Sequence, residues 1–185
     1  LINTYPDSEF IAKAKLAIAD SWYREGGTSG LTQAEAEYRD FITFFPTMAE
    51  AGEAQMRVAM IHYRGMEKPD RDPTHARRAE QEFQRLLLNY PDAPFAPLAV
   101  QRLREVQEVL AEGMFEVARF YFIQGWDPAT QPRLKELIER YPHFSQVDTT
   151  LWLLGQSLER AGEASAGEAA PQYARIVRDY PLSAH

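Results

Sequence analysis

Apolar residues recur along the chain at helical spacing, and the apolar segments end at an aromatic residue followed by proline. The stretch "LLLNYPDAPFAPLA", residues 86–99, shows one such aromatic–proline motif, Tyr90 and Pro91, between two apolar segments. The prolines of the five motifs are Pro6, Pro46, Pro91, Pro142 and Pro181. They are 40, 45, 51 and 39 residues apart. Periods in this range are typical of solenoids that are built from helix pairs.

Three positions before the proline carry the same kinds of side chain in four of the five segments. A small residue lies twelve residues before the proline, a large apolar residue eight before, and a second apolar residue five before. In chain order these positions are Ala34, Tyr38 and Phe41; Ala79, Phe83 and Leu86; Thr130, Leu134 and Leu137; and Ala169, Tyr173 and Ile176. Offsets of four and three residues place them on one helical face, and proline then ends the helix. Each segment is therefore predicted to be the second helix of a helix pair.

The pattern predicts an all-α fold. Helices are expected near residues 8–25, 32–45, 47–65, 73–90, 94–123, 130–141, 145–161 and 167–180. Gly113 is expected to bend or split the long fifth helix. Pro132 and Pro171 lie inside predicted helices, which must either begin later or be kinked. No segment alternates apolar and polar residues over a strand length, so no sheet is predicted.

The repeated positions resemble those of tetratricopeptide repeats. This resemblance implies a right-handed superhelical solenoid of antiparallel helix pairs. Residues 1–185 are expected to form a single solenoid with about four complete repeats and the end of an earlier one.

Composition and charge narrow the classes of function. The 185 residues include 20 lysines and arginines and 27 aspartates and glutamates, which gives a formal net charge of −7. An acidic chain gains no affinity from counterion release on a phosphate backbone, so nucleic acid is not an expected partner. Cysteine is absent, which excludes disulfides and thiolate chemistry within these residues.

Motifs of catalytic, cofactor or metal sites are not found in the sequence. The chain lacks G-x-S-x-G, H-E-x-x-H, P-loop and G-x-G-x-x-G patterns. None of the four histidines has a second histidine at ligand spacing, and His62 is expected to be packed or hydrogen-bonded on an apolar helix. We therefore expect neither enzymatic activity nor a metal or cofactor.

The segment from residue 70 to residue 142 resembles the BamD family of outer-membrane assembly lipoproteins, which is also called ComL or YfiO. The residues that match the family pattern are Asp70, Arg71, Asp72, Pro73, Tyr90, Pro91, Leu110, Ala111, Val117, Ala118, Phe120, Tyr121, Gly125 and Arg133. The chain departs from the pattern at Gln124, where a basic residue is usual. It also carries Pro128 and Pro132 where the family has an uninterrupted helix before the arginine.

The resemblance implies a noncatalytic periplasmic scaffold of the outer-membrane β-barrel assembly (BAM) machinery of a Gram-negative bacterium. The C-terminal half, 92–185, would bind the POTRA domain of a BamA-like subunit, with Arg133 at that interface. The N-terminal half, 1–91, would receive the C-terminal aromatic signals of unfolded outer-membrane proteins. Other BAM lipoproteins are further expected partners, and the family implies attachment to the periplasmic face of the outer membrane through an N-terminal lipid that is not present in this chain.

Aromatic residues provide the candidate side chains for peptide binding. Most aromatics, including those of "FEVARFYF" (115–122), are expected in the core between helices. Trp22 and Tyr23 are adjacent on a helix and point in different directions, so one of them is expected to face outward. Trp22, Tyr23 and Tyr63 are our candidates for substrate binding. The repeat pattern alone also fits another periplasmic tetratricopeptide adaptor, such as an accessory protein of cell division or polysaccharide export.

Overall fold

The computed structural model describes residues 10–162, 165 and 167–185. Every regular element among these residues is an α-helix. The helices are α1 (Ile11–Glu25), α2 (Gly27–Phe44), α3 (Ala49–Arg64), α4 (Thr74–Asn89), α5 (Ala96–Ile123), α6 (Asp127–Arg140), α7 (Val147–Arg160) and α8 (Ala169–Asp179). The prediction of an all-α fold built from repeated helices is confirmed, although α2 and α6 begin earlier than expected.

The chain forms two compact units, and the boundary between them lies inside α5. Unit 1 contains the described part of Leu1–Glu67 together with Pro73–Val106, and unit 2 contains Lys68–Asp72 and the described part of Gln107–His185. In unit 1, α1 packs on α2, α2 on α3 and α3 on α4. In unit 2, α6 packs on α7 and α7 on α8. Successive helices thus pack on each other within each unit, as in helical-repeat proteins. The single solenoid over residues 1–185 stays a prediction.

The repeated sequence positions form the buried face of each second helix. At these positions of α2, α4 and α6, the side chains are at most 1% exposed. In α8, Ala169 and Ile176 are buried, whereas Tyr173 keeps part of its surface exposed. The positions on α2 belong to a core cluster that also contains residues of α1 and α3. The predicted inward face is therefore confirmed for all four helices.

Each second helix ends immediately before the aromatic residue of its aromatic–proline motif. These C-caps are Phe45, Tyr90, Tyr141 and Tyr180. The N–H of each cap donates to the carbonyl four residues earlier at 2.8 to 2.9 Å, and its own carbonyl accepts from the residue three positions later at 2.9 to 3.2 Å. Proline suits the second position of such a turn because its φ is preset and its nitrogen carries no hydrogen. The first motif, at Pro6, lies outside the described residues.

Pro132 and Pro171 both lie within helices. The helix α6 begins at Asp127, with Pro132 in its interior, so a later start is wrong for this helix. Pro132 has no N–H. The carbonyl of Pro128, four residues earlier in the first turn of α6, therefore does not receive the usual helical hydrogen bond. The helix α8 begins at Ala169, slightly later than predicted, which leaves Pro171 in its first turn.

Two glycines allow close approach within unit 2. A Cβ atom at Gly155 in α7 would lie 2.5 Å from Cε1 of Tyr173 in α8. A Cβ atom at Gly113 in α5 would lie 2.6 Å from the carbonyl oxygen of Pro69. The helix α5 continues through Gly113, so the expectation is wrong as far as a split is concerned, and a bend at Gly113 stays a prediction. Gly113 instead leaves room for the loop between α3 and α4.

A buried carboxylate links α2, α3 and α4 in unit 1. The side chain of Glu82 is 4% exposed and accepts hydrogen bonds from Arg39 at 2.8 Å, Gln55 at 2.7 Å and Arg85 at 2.9 Å. Burial would raise the pKa of Glu82, but the bonds from Arg39 and Gln55 outweigh it, and the pKa is lowered. The carboxylate is therefore charged and paired inside the helix packing.

His62 is buried on α3 and uses both of its ring nitrogens. Its Nε2 lies 3.2 Å from the carboxylate of Glu35 on α2, and its Nδ1 lies 3.3 Å from Nδ1 of His75 on α4. A carboxylate only accepts, so Nε2 carries the proton of the neutral ring and Nδ1 accepts from His75. Burial lowers the pKa of His62, although Glu35 acts in the opposite direction. The expectation that this histidine is hydrogen-bonded within the helix packing is confirmed.

Candidate functional site

Arg133 lies on α6 in unit 2 and is held by two local contacts. Its Nη1 donates to the carbonyl of Ala129 at 2.8 Å, and its guanidinium lies 4.4 Å from the ring centroid of Tyr121 on α5. The aromatic face attracts the cation. Arg133 makes no ion pair with any described residue. Its side chain is partly exposed.

Several large side chains lie near Tyr121 in the sequence, at the end of α5 and in the following turn. We call Phe120, Tyr121, Ile123 and Trp126 the aromatic surface. The ring of Tyr121 contacts that of Phe120 at 5.5 Å and that of Trp126 at 5.7 Å between centroids. Phe120 is 55% exposed, Ile123 69% and Trp126 57%. Exposed large apolar side chains that occur together in a short segment mark interaction sites in soluble domains.

The sequence predicts the aromatic surface only in part. Phe115 is 3% exposed and packs against Phe144, as the core expectation requires, but that expectation is wrong for Phe120. Trp126 is not among the residues that the sequence predicts for a binding site. The signal that could have found it is a tryptophan in a polar break between helices, where no helical face can bury it.

Tyr23 and Trp22 lie near the end of α1 in unit 1, and both pack against the core cluster while remaining partly exposed. The guanidinium groups of Arg57 and Arg64, both on α3, lie 5.2 and 5.3 Å from the ring centroid of Tyr23. The ring also meets Tyr38 edge to face at 6.2 Å. Tyr23 is thus a half-buried aromatic residue beside two cations.

Tyr63 forms a separate polar cluster with α5. Its hydroxyl donates to Glu105 at 2.5 Å and accepts from Arg102 at 3.1 Å, and the guanidinium of Arg102 lies 5.1 Å from its ring centroid. The hydrogen bond from Tyr63 lowers the pKa of Glu105, and the bond from Arg102 acts in the same direction. Tyr63 therefore lies in a different cluster from Tyr23, and Arg133 belongs to the other unit.

Neither a metal site nor a membrane span is found in the part of the chain that the structure describes. None of its groups of histidine and carboxylate side chains could hold a metal ion. None of its helices is both long and apolar enough to cross a membrane.

Comparisons with known proteins place this architecture in a family. The sequence profile of the YfiO family, described as outer membrane lipoprotein, matches residues 1–174. Outer membrane protein assembly factor BamD of Vibrio cholerae is 25% identical over 186 residues, which cover 95% of this chain and 76% of that protein.

Two further relatives carry the same name. BamD of Haemophilus influenzae is 26% identical over 98 residues, and BamD of Neisseria meningitidis serogroup A is 29% identical over 94 residues. These matches cover 53% and 51% of this chain but only 37% and 35% of the two relatives. The profile match nevertheless extends over most of the chain and confirms the resemblance: the chain belongs to the YfiO family of outer membrane lipoproteins.

Proposed function

We propose that this chain is a noncatalytic scaffold of the outer-membrane protein assembly machinery, located at the periplasmic face of the outer membrane. The observation that carries the proposal is the family match over residues 1–174. The relatives, each named an outer membrane protein assembly factor, support the same role. Attachment through an N-terminal lipid and contact with other BAM lipoproteins are part of this proposal.

In this proposal, unit 2 binds the POTRA domain of a BamA-like subunit through Arg133 and the aromatic surface. Arginine, tyrosine and tryptophan are the residues that most often dominate binding energy at interfaces. A guanidinium can donate two parallel hydrogen bonds to one carboxylate. The complementary partner surface therefore presents a carboxylate next to apolar side chains.

Unit 1 receives unfolded outer-membrane proteins in the same proposal. Tyr23, flanked by Arg57 and Arg64, offers an aromatic face and positive charge to an extended chain that ends in an aromatic residue and a carboxylate. Trp22 and Tyr63 contribute further aromatic side chains for peptide contact. The contact would combine apolar burial with charge pairing, which suits extended peptides on helical-repeat proteins.

The first test measures binding to the POTRA domains of the same organism by calorimetry. We expect Arg133→Glu and Trp126→Ala each to weaken binding by about tenfold or more, because each removes a central contact. Arg178→Glu is the matched control, since Arg178 is an exposed arginine of the same unit whose recorded ion pair is with its neighbour Asp179. Unimpaired binding by Arg133→Glu would remove this arginine from the interface.

The second test measures binding of a peptide that ends in an aromatic residue and a free carboxylate. We expect Tyr23→Ala and Arg64→Ala to weaken peptide binding while POTRA binding is unchanged. Amidation of the peptide's carboxylate is expected to reduce the effect of Arg64→Ala. Equal binding by wild type and Tyr23→Ala would refute the assignment of Tyr23.

A further inference from the structure

Arg160, the last residue of α7, contacts both sides of the turn between α5 and α6. Its guanidinium lies 4.1 Å from the ring centroid of Phe122, and its Nη2 donates to the backbone carbonyl of that residue at 3.2 Å. The same nitrogen donates to Asp127 at 2.7 Å. Phe122 precedes the turn and Asp127 follows it. One side chain of a third helix therefore joins the two ends of this turn.

Asp127 is held from a second direction. It is 9% exposed, and its Oδ1 also accepts from the hydroxyl of Ser157 at 2.6 Å. Ser157 is fully buried on α7. A buried carboxylate that accepts two hydrogen bonds, one of them from a cation, is strongly oriented. We call Arg160, Asp127 and Ser157 the α7 clasp.

The turn between α5 and α6 also has local contacts of its own. Its backbone is held by hydrogen bonds from Gln124, Gly125 and Trp126 back to the last turn of α5, and Gly125 adopts a left-handed φ of 73°. Pro128 then supplies no N–H in the first turn of α6, and Pro132 supplies none inside it. These prolines are the departure from the family pattern noted in the sequence, and the α7 clasp lies directly against the segment that they interrupt.

We propose that Arg160 is a positioning residue of the partner-binding surface: it holds the turn in the conformation in which Ile123, Trp126 and Arg133 are presented together. The inference rests on the proposed function. Ile123 and Trp126 lie between Phe122 and Asp127, the two residues that Arg160 joins. Arg133 lies on α6, the helix that begins where this turn ends. When the clasp is lost, the binding-competent conformation becomes a fraction of the population, and the apparent dissociation constant rises by the inverse of that fraction.

The test combines POTRA binding with hydrogen exchange of the free protein. Arg160→Ala is expected to raise the dissociation constant about tenfold, which corresponds to a competent fraction of about one tenth. The amides of Gly125 and Trp126 are expected to lose most of their protection in the same variant. Arg160→Lys keeps the charge opposite Asp127. It is expected to show smaller changes than Arg160→Ala both in the dissociation constant and in amide protection. Arg178→Ala, the loss of another exposed arginine of unit 2, is expected to change neither.

The outcomes separate this inference from the proposed function. If wild type does not bind POTRA domains, the proposed function is wrong and the role of Arg160 is overturned with it. If wild type binds and Arg160→Ala binds equally well, only the inference about Arg160 is overturned. It is also overturned if Arg160→Ala weakens binding without any change in exchange at the turn, because Arg160 then acts by touching the partner directly.

Discussion

The close packing of α7 on α8 makes a specific prediction for Gly155→Ala. In most helix interiors this change stabilises a protein by about 1 kcal/mol, because alanine restricts the unfolded chain and favours the helix. At this position the added Cβ atom would lie 2.5, 2.6 and 2.9 Å from Cε1, Cζ and the hydroxyl oxygen of Tyr173. Carbon atoms attract each other best at about 3.5 to 4.0 Å, so all three contacts are repulsive.

The size of the effect follows from what must move. Tyr173 is carried by α8, which is anchored on α7 through the buried Ala169 and Ile176. The ring can avoid the new methyl group only by turning outward and giving up its packing, or by moving the helix. Such overpacking costs about 1 to 3 kcal/mol. After subtraction of the helix-propensity gain, we expect Gly155→Ala to destabilise the protein by about 1 kcal/mol.

A double-mutant cycle tests the reasoning. Gly155→Ala is made in wild type and in Tyr173→Ala, and the free energy of unfolding is measured in urea by circular dichroism. Without the ring, the same substitution is expected to stabilise by about 1 kcal/mol, so its sign reverses and the coupling energy is about 1 to 3 kcal/mol. If Gly155→Ala stabilises the wild type as much as it stabilises Tyr173→Ala, the close approach of the Tyr173 ring does not make alanine unfavourable at this position, and the reasoning is refuted.

Two further predictions concern the polar interior of unit 1. Burial lowers the pKa of His62 in the folded chain. As pH falls through the ordinary value of 6.5, His62 is therefore protonated in the unfolded chain before it is protonated in the folded chain. The free energy of unfolding decreases from there down to the folded pKa. His62→Gln is expected to remove this part of the pH dependence in urea titrations between about pH 7.5 and 5.5, and an unchanged slope would contradict it. Glu82→Ala leaves the buried Gln55 without its carboxylate partner, whereas Arg39 keeps its ion pair with Glu35. It is expected to destabilise by about 1 to 3 kcal/mol, against less than about 1 kcal/mol for the exposed Glu53→Ala. Equal losses in the two variants, measured by urea unfolding, would show that Glu82 is not a buried partner.

The helices and their ends were predictable because the forces that set them act between near neighbours in the sequence. A small residue, a large one and a second apolar one at offsets of four and three define one face of a helix. That face is buried in α2, α4 and α6, and in α8 all of it except Tyr173 is buried. Proline acts on the residue just before it, so the C-caps Phe45, Tyr90, Tyr141 and Tyr180 could be identified from the sequence.

The candidate site was predictable only in part. Arg133 was identified by resemblance to a family, and its ring partner Tyr121 was noted among the aromatics. The exposure of Phe120 and Trp126 was not predicted, because a large apolar residue reads as core unless the neighbouring helices are known. The start of α6 at Asp127 was also missed, since two prolines in a short segment favour a later start.

The sequence by itself determined that this protein is a helical repeat, where its second helices end and which faces they bury. These properties follow from helical period and from proline, both of which are local. Only the tertiary structure decided that Gly113 admits a loop rather than splitting α5, that Gly155 admits Tyr173, and that Arg160 reaches back to Asp127. Each of these contacts joins residues far apart in the chain, so no local pattern records it.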